Sequence, residues 1–420
     1  MNAPRLVALA TALLLPISAL ASGAAVADQA RSGSSVLTSD LADHPSAKAK
    51  KKKRKPKVAT KANSISVRVL PQIAQAGKGA ASPANAQVVL PVSVKPVRRT
   101  ALVLEVKSGR KWKTLRKANS AANGQHVFTA AAKRGSSAAQ YRVRVGKRVS
   151  KALSTKQWLT PSFSDTFSGS SLSKAWNHRG THYNEAVRTC SKGDPRATRV
   201  ANGTLRLSVL KDPDRGELCT PTSGSATGQY AYRLNGHVGT KGAYSFTYGI
   251  AAARVRFPKD SGQHAAFWLQ VENPDLRTVN PKINGSEIDV IESYGIDSGK
   301  GAKSLGLTTG VHRYSTVDGK TVTYPEGGWV KNAAQYLSGP KDSFHGGYHV
   351  FSVEWTPKYY IYRVDGKEYW RTTKDISGTP QFPVLSNLSS DYELNRLKGD
   401  AKGLPQHMDV DWIRVWETKH

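Results

Sequence analysis

Cysteine and acid are what this 420-residue chain is short of. Two cysteines, Cys190 and Cys219, exclude a Cys-rich scaffold, and they show no redox or zinc spacing. They make either one disulfide in an exported chain, worth about 3 kcal/mol by loop closure, or two free thiols. Asp and Glu number 30 against 62 Lys and Arg, a formal charge of +32. Long apolar runs are nearly absent. The one at Leu6 to Leu20 follows Arg5 and precedes small-residue sites ending at Ala21 or Ala27. It reads as an export signal over 1–27, because a membrane anchor needs about 20 apolar residues. No later segment is apolar enough to span a bilayer, which predicts a secreted protein with no membrane span. Clear helical stripes are also missing, which argues against an all-helical fold.

The positive charge is unevenly placed. Lys48 to Lys57 is almost purely basic, within a Ser-, Ala- and Lys-rich stretch at 28–62 that lacks hydrophobic period. It reads as a disordered basic linker. Its charge suits adhesion to an anionic cell-wall or matrix polymer, or solubility alone. Nothing points to a specific nucleic acid.

What the chain has in quantity is short alternating apolar runs. Between 64 and 150 lie "SISVRVL", "AQVVLPVSV", "ALVLEV" and "AQYRVRV", separated by turns such as Ser108-Gly109 and Asn123-Gly124. They predict a small Ig-like β-sandwich with no residues for chemistry, an accessory domain. From about 160 to 420 the runs continue with "TLRLSVL", "HAAFWLQV", "YHVFSVEW", "YYIYRV" and "MDVDWIRVW", and Asp365-Gly366 marks a hairpin. This predicts one large all-β sandwich.

The informative segment is Gly285-Ser-Glu287-Ile-Asp289-Val-Ile-Glu292-Ser-Tyr294. In a strand, Glu287 and Asp289 share one face and Ile288 and Val290 the other. Strict alternation would bury Glu292 among the apolar residues, at high cost. One extra residue, a β-bulge, returns it to the acid face. The two glutamates then stand about two strand steps apart, with residues two apart separated by roughly 6.5–7 Å. Their carboxyls could approach the roughly 5–5.5 Å of a retaining glycosidase pair. Like charges this close raise at least one pKa, as a general acid requires. A solvent-facing acidic strand or a calcium site is the plainer alternative. In so basic a chain, three acids within six residues favour chemistry.

That segment resembles the Glu-x-Asp-x-x-Glu signature of glycoside hydrolase family 16, in its bulged, laminarinase-like form. "FSDTF" (163–167) with Trp176, "YSFTYGIAAARVRFP" (244–258), "AAFWL" (265–269), "YHVFSVEWTPKYYIYRVDG" (348–366) and "MDVDWIRVW" (408–416) resemble further family segments in order. The resemblance implies a concanavalin-like β-jelly roll and a retaining endo-glycosidase of β-linked polysaccharide, β-1,3-glucan or a related β-glucan, with no cofactor required. It implies Glu287 as nucleophile, Glu292 as acid/base and Asp289 as the residue that tunes the proton between them. Trp268 becomes a sugar platform and His312 a partner of the acid/base. Arg254, Tyr294, Trp329 and Asn387 become subsite contacts, and Asp165 with Asp411 a structural calcium site. The pattern departs at Gln263-His264, where such enzymes usually carry Trp-Pro, and at Ser389-Ser390-Asp391-Tyr392, where they usually carry Gly-Gly. These departures leave a galactan or acidic exopolysaccharide open as substrate. A carbohydrate-binding or adhesion protein without catalysis is the reading from another class.

Overall fold

The computed structural model describes residues 58–74, 85–223, 226–296, 305–394 and 403–419. The expected export signal and the linker up to residue 57 lie outside the described residues. The first described unit has two antiparallel sheets. Ser64–Val67, Leu70–Ala74, Gln87–Lys95 and Gln125–Ala130 form one. Ala101–Ser108, Lys111–Asn119, Gln140–Val145, Arg148–Val149 and Leu153–Ser154 form the other. Their alternating residues meet in a core of Val88, Leu90, Leu104, Phe128, Tyr141 and Val143. The turn glycines Gly109 and Gly124 take φ of 59° and 74°, where a side chain would be strained.

The remaining strands build a larger sandwich. One sheet runs, in order, Lys320–Trp329, Leu307–Val317, Glu287–Ser293, His264–Val271, Gln381–Leu388 and Arg233–Gly239, with Asn177–His178 at its edge. The facing sheet runs Thr204–Lys211, Gln406–Glu417, Gly249–Arg256, His349–Trp355, Tyr360–Val364 and Lys367–Thr372. Arg233–Gly239 belongs to both sheets. Asn235 pairs with Val209 of the facing sheet and Gly236 with Asn387 of the other. The switch needs glycine: a Cβ at Gly236 would lie 2.7 Å from the Cα of Leu207. Phe267, Leu269, Ile288, Val290, Val353, Tyr362 and Ile413 fill the space between the sheets, all fully buried. Each such side chain contributes roughly 1.5–3 kcal/mol on burial. The fold is the all-β sandwich that alternation predicts, arranged as the jelly roll that the resemblance implies.

The outer face of the facing sheet is also apolar. Ile250, Ala252, Val350, Trp412 and Trp416 pack into the core of the first unit. Trp416 donates to the Trp158 carbonyl at 3.1 Å, and Trp158 to the Val69 carbonyl at 2.9 Å. The first unit therefore covers one face of the sandwich and leaves the Glu287 sheet free. Among the described residues no helix is long and apolar enough to cross a membrane.

Candidate active site

The acid strand begins where a short helix ends. Asn280 caps Pro281–Asn284 by accepting from the Lys282 N–H, and Gly285 at φ 85° turns the chain out of it. Glu287 starts the strand opposite Gln270, since Ile288 pairs with Leu269. Asp289 pairs with Trp268, Ile291 with Phe267, and Glu292 with Ala266. Val290 is the extra residue. Val290 and Ile291 are both 0% exposed, so two consecutive residues enter the core and the phase resets. Glu292 thereby faces the same way as Glu287 and Asp289.

The spacing along the strand is longer than the motif suggests. Asp289 occupies the row between the two glutamates, so their Cα atoms stand about 13 Å apart at roughly 3.3 Å per residue. The carboxyls approach only if both side chains lean over Asp289.

A cleft of about 770 Å³, counting its open mouth, lies over this face. It is lined by Glu287, Asp289, Glu292, His264, Trp268 and Ser386, and at one end by Arg179, Arg188, His237 and Tyr392. Tyr314 donates to Glu287 at 3.0 Å. His312 Nε2 lies 3.0 Å from Asp289 Oδ2. Gly310, opposite Asp289, makes room for that pair, since a Cβ there would stand 3.2 Å from His312 Nε2. Thr308 donates to Glu292 Oε2 at 2.7 Å, and His264 Nε2 lies 2.6 Å from Glu292 Oε1. Behind His264 stand the Tyr392 hydroxyl at 3.0 Å, Glu393 at 3.4 Å and the stacked ring of Tyr294, its centroid 4.5 Å away.

The electrostatics separate the two glutamates. Burial pushes Glu287 up to about 8, and Asp289 adds to the effect. Asp289 is itself raised, by burial and then by Glu292. Burial also opposes charge on Glu292, but His264 and Thr308 outweigh it and bring Glu292 down to about 2. In return Glu292 holds His264 up at about 9 against its burial. Asp289 does the same for His312, at about 10. The free cleft thus keeps a proton at its Glu287 end and an ion pair at its Glu292 end. Carboxylates this close titrate as a group.

Trp268 lines the cleft, its indole N–H donating to Ser386 at 3.1 Å. His312 meets Asp289 rather than the proposed acid/base. Tyr294 is half-buried and stacks on His264. Trp329 lies in the Glu292 row, paired with Thr308, and its ring is 5.8 Å from Tyr294. Two expected subsite residues are elsewhere. Arg254 is fully buried on the facing sheet, 2.5 Å from Asp411 and over the Tyr348 ring. Asn387 is buried, and its amide donates to the Leu207 and Gln406 carbonyls at 3.1 Å. The calcium pair is corrected too. Asp411 is matched by the Arg254 charge, and Asp165 accepts from the Phe167 N–H, Ser173 and Trp176 at 2.8–3.0 Å. Neither offers the free oxygens a hard cation needs. Among the described residues the one grouping with ligand atoms within 4.8 Å of one another is Glu287, Asp289 and His312. There the imidazolium already balances Asp289. Cys190 and Cys219 form the disulfide.

His264, Thr308, Tyr314, Arg179 and Arg188 join the site without being singled out by their sequence. For His264 a signal existed, since it occupies a point of departure from the family pattern.

The chain is 24% identical to "Glucan endo-1,3-beta-glucosidase A1" of Niallia circulans over 61% of its own length and 37% of that relative's. It is 22% identical to "Beta-glucanase" of Rhodothermus marinus, over 52% of this chain and 69% of the relative. It therefore spans little more than a third of the first relative's length. A solved catalytic domain of an endo-1,3-beta-glucanase (laminarinase) from Thermotoga petrophila RKU-1 aligns over 62% of this chain and 98% of that one, at 20% identity and a TM-score of 0.44. The family described as Glycosyl hydrolases family 16 matches residues 189–414, which hold the acid strand and Tyr314, His312, Thr308 and His264, the partners of its three carboxylates. On that match, over more than half its length, the chain belongs to glycosyl hydrolase family 16.

Proposed function

We propose that the chain is an endo-acting hydrolase of β-linked polysaccharide that works by double displacement with retention. The observation that carries this is the bulge at Val290, which places Glu287, Asp289 and Glu292 on one cleft face. In the first step a Glu287 oxygen bonds to the anomeric carbon. The glycosidic C–O bond breaks, and the Glu292 proton passes to the leaving oxygen. In the second step water attacks the same carbon, Glu292 takes its proton, and the Glu287 ester bond breaks. The reactive form has Glu287 ionised and Glu292 protonated. Asp289 stands between them, so a one-proton shift along the row makes that form without changing the cluster's net charge. The His264 charge makes Glu292 a stronger acid toward the leaving oxygen. No cofactor enters either step.

A β-1,3-glucan or related β-glucan is the substrate that the named relatives support. We also read residues 1–27 as an export signal that makes the protein secreted, 28–62 as a basic tether to anionic wall polymers, and 64–150 as an accessory domain on the catalytic domain at 160–420. The test is product sizing on a panel of β-glucans and galactans. Oligosaccharides of several lengths appearing early support endo cleavage, and Glu292→Gln should abolish them. Monosaccharide as the sole early product would contradict it.

A further inference from the structure

Away from the acid strand the cleft lining changes sign. His237 pairs with Ser386, Ser386 with Ala266, and Ala266 with Glu292. Three strand spacings separate His237 from Glu292, about 14 Å at roughly 4.8 Å each. Arg179 follows the Asn177–His178 edge strand, its N–H donating to the His237 carbonyl at 2.9 Å. Its guanidinium packs 4.9 Å from the Phe382 ring and donates to Gln270, leaving Nε without a partner. Arg188 ends a tight turn closed by its N–H to the Asn184 carbonyl at 2.7 Å. It reaches the same end of the cleft, near Gly180.

Neither guanidinium forms an ion pair among the described residues. Other arginines do: Arg206 meets Asp409 and Arg363 meets Glu354, each at 2.8 Å. Burial pushes Arg179 down to about 10 and lowers Arg188 as well, against the opposing pull of Glu287 on Arg179 and of Tyr392, Glu393 and Asp391 on Arg188. His237 Nε2 also has no partner, and burial together with the two arginines keeps its ring neutral. A neutral ring can place its proton on Nε2 and donate. Three donor groups thus gather along the side of the cleft away from the acid strand.

We propose that Arg179, Arg188 and His237 form an anion subsite, so that the glycan cleaved carries a carboxylate or sulfate group on a sugar bound at this end of the cleft. This rests on the glycosidase reading above. Guanidinium groups pair with such planar or tetrahedral oxyanions through parallel N–H donors. The charged sugar lies away from the scissile bond, beyond the Trp268 ring that stacks on His237 with centroids 6.3 Å apart. The simpler alternative is that the arginines only offset the field of the cleft acids.

The two are told apart with the full chain at fixed physiological salt, using a neutral β-1,3-glucan and its carboxymethylated and sulfated derivatives of matched length. Wild type should favour one derivative in kcat/KM, and which one identifies the group. Arg188→Ala and Arg179→Ala should each lose about tenfold or more on that derivative beyond any loss on the neutral glucan, as expected for a charged hydrogen bond. The exposed Lys113→Ala controls for the general positive charge. Equal losses on neutral and charged polymers would overturn the subsite and leave the glycosidase reading standing. If wild type cleaves none of the three, that reading fails on these polymers, and affinity electrophoresis of Glu292→Gln decides the subsite separately. Retardation by a charged polymer that Arg188→Ala abolishes sustains it, and retardation that Arg188→Ala leaves unchanged overturns it.

Discussion

Replacing Glu287 with Gln should remove activity and, at alkaline pH, stabilise the protein. Glu287 is 4% exposed and its carboxyl is raised from 4.5 to about 8. Between those values the unfolded chain binds fewer protons at this position than the folded one. Stability therefore falls as pH rises through the window. The gap is about 8 − 4.5, or about 3.5, which at about 1.4 kcal/mol per pH unit sets a ceiling near 5 kcal/mol. Part of that belongs to Asp289, which shares the charge, so about half the ceiling is the working expectation. Gln keeps an oxygen to accept the Tyr314 hydroxyl, now at 3.0 Å, and does not titrate. The assay is thermal unfolding of the full chain at pH 4, 6 and 8, wild type against Glu287→Gln. The Tm difference should be near zero at pH 4 and grow to several degrees in favour of the variant at pH 8, at about 2–4 °C per kcal/mol for a domain of this size. A difference that does not change with pH, or a variant that weakens as pH rises, would refute the burial argument.

His264→Ala removes a positive charge beside Glu292, so the cluster's carboxyl pKa values should all rise. The acid limb of kcat/KM should move to higher pH, because Glu292 loses the partner that brings it down to about 2, so the variant should lose activity at a higher pH than wild type as the solution is acidified; an unmoved limb would contradict this. Gly310→Ala puts a methyl 3.2 Å from His312 Nε2 and 3.1 Å from the Glu326 carbonyl. It should loosen His312 from Asp289 and lower kcat about tenfold, the value of one charged hydrogen bond, with the folded state retained by circular dichroism. The Cys190–Cys219 bridge spans 29 residues, so Cys219→Ser should lower stability in denaturant by about 3–4 kcal/mol on loop entropy. It should also weaken the ordering of Arg188, because the next residue, Thr189, donates to Asp391 from its N–H and hydroxyl at 3.1 and 2.7 Å.

The acid strand was legible because its alternation breaks in a way only one physical arrangement repairs. Val290 and Ile291 cannot both be buried, with Glu292 facing the cleft, unless a residue is inserted. The sandwich was legible for the related reason that period-2 apolar runs have to pair. What could not be read was which residues meet across strands. Tyr314 reaches Glu287 and His264 reaches Glu292 only through register, from strands tens of residues away in the chain. Arg254 and Asn387 were expected at subsites from the family resemblance, which does not fix which sheet or face each side chain takes. Arg254 ended on the facing sheet, and Asn387 on the core side of the cleft sheet. The distance along the acid strand was also underestimated, since Asp289 takes a full row between the glutamates.

The central claim is that Glu287 and Glu292 act on one sugar from opposite sides. Proton NMR of the nascent reducing end, recorded within seconds of cleaving a β-linked oligosaccharide and before mutarotation, tests it most directly. The account predicts that the β-anomer appears first and the α-anomer only as it equilibrates. Initial formation of the α-anomer would mean that water attacks directly, and that Glu287 is not the nucleophile.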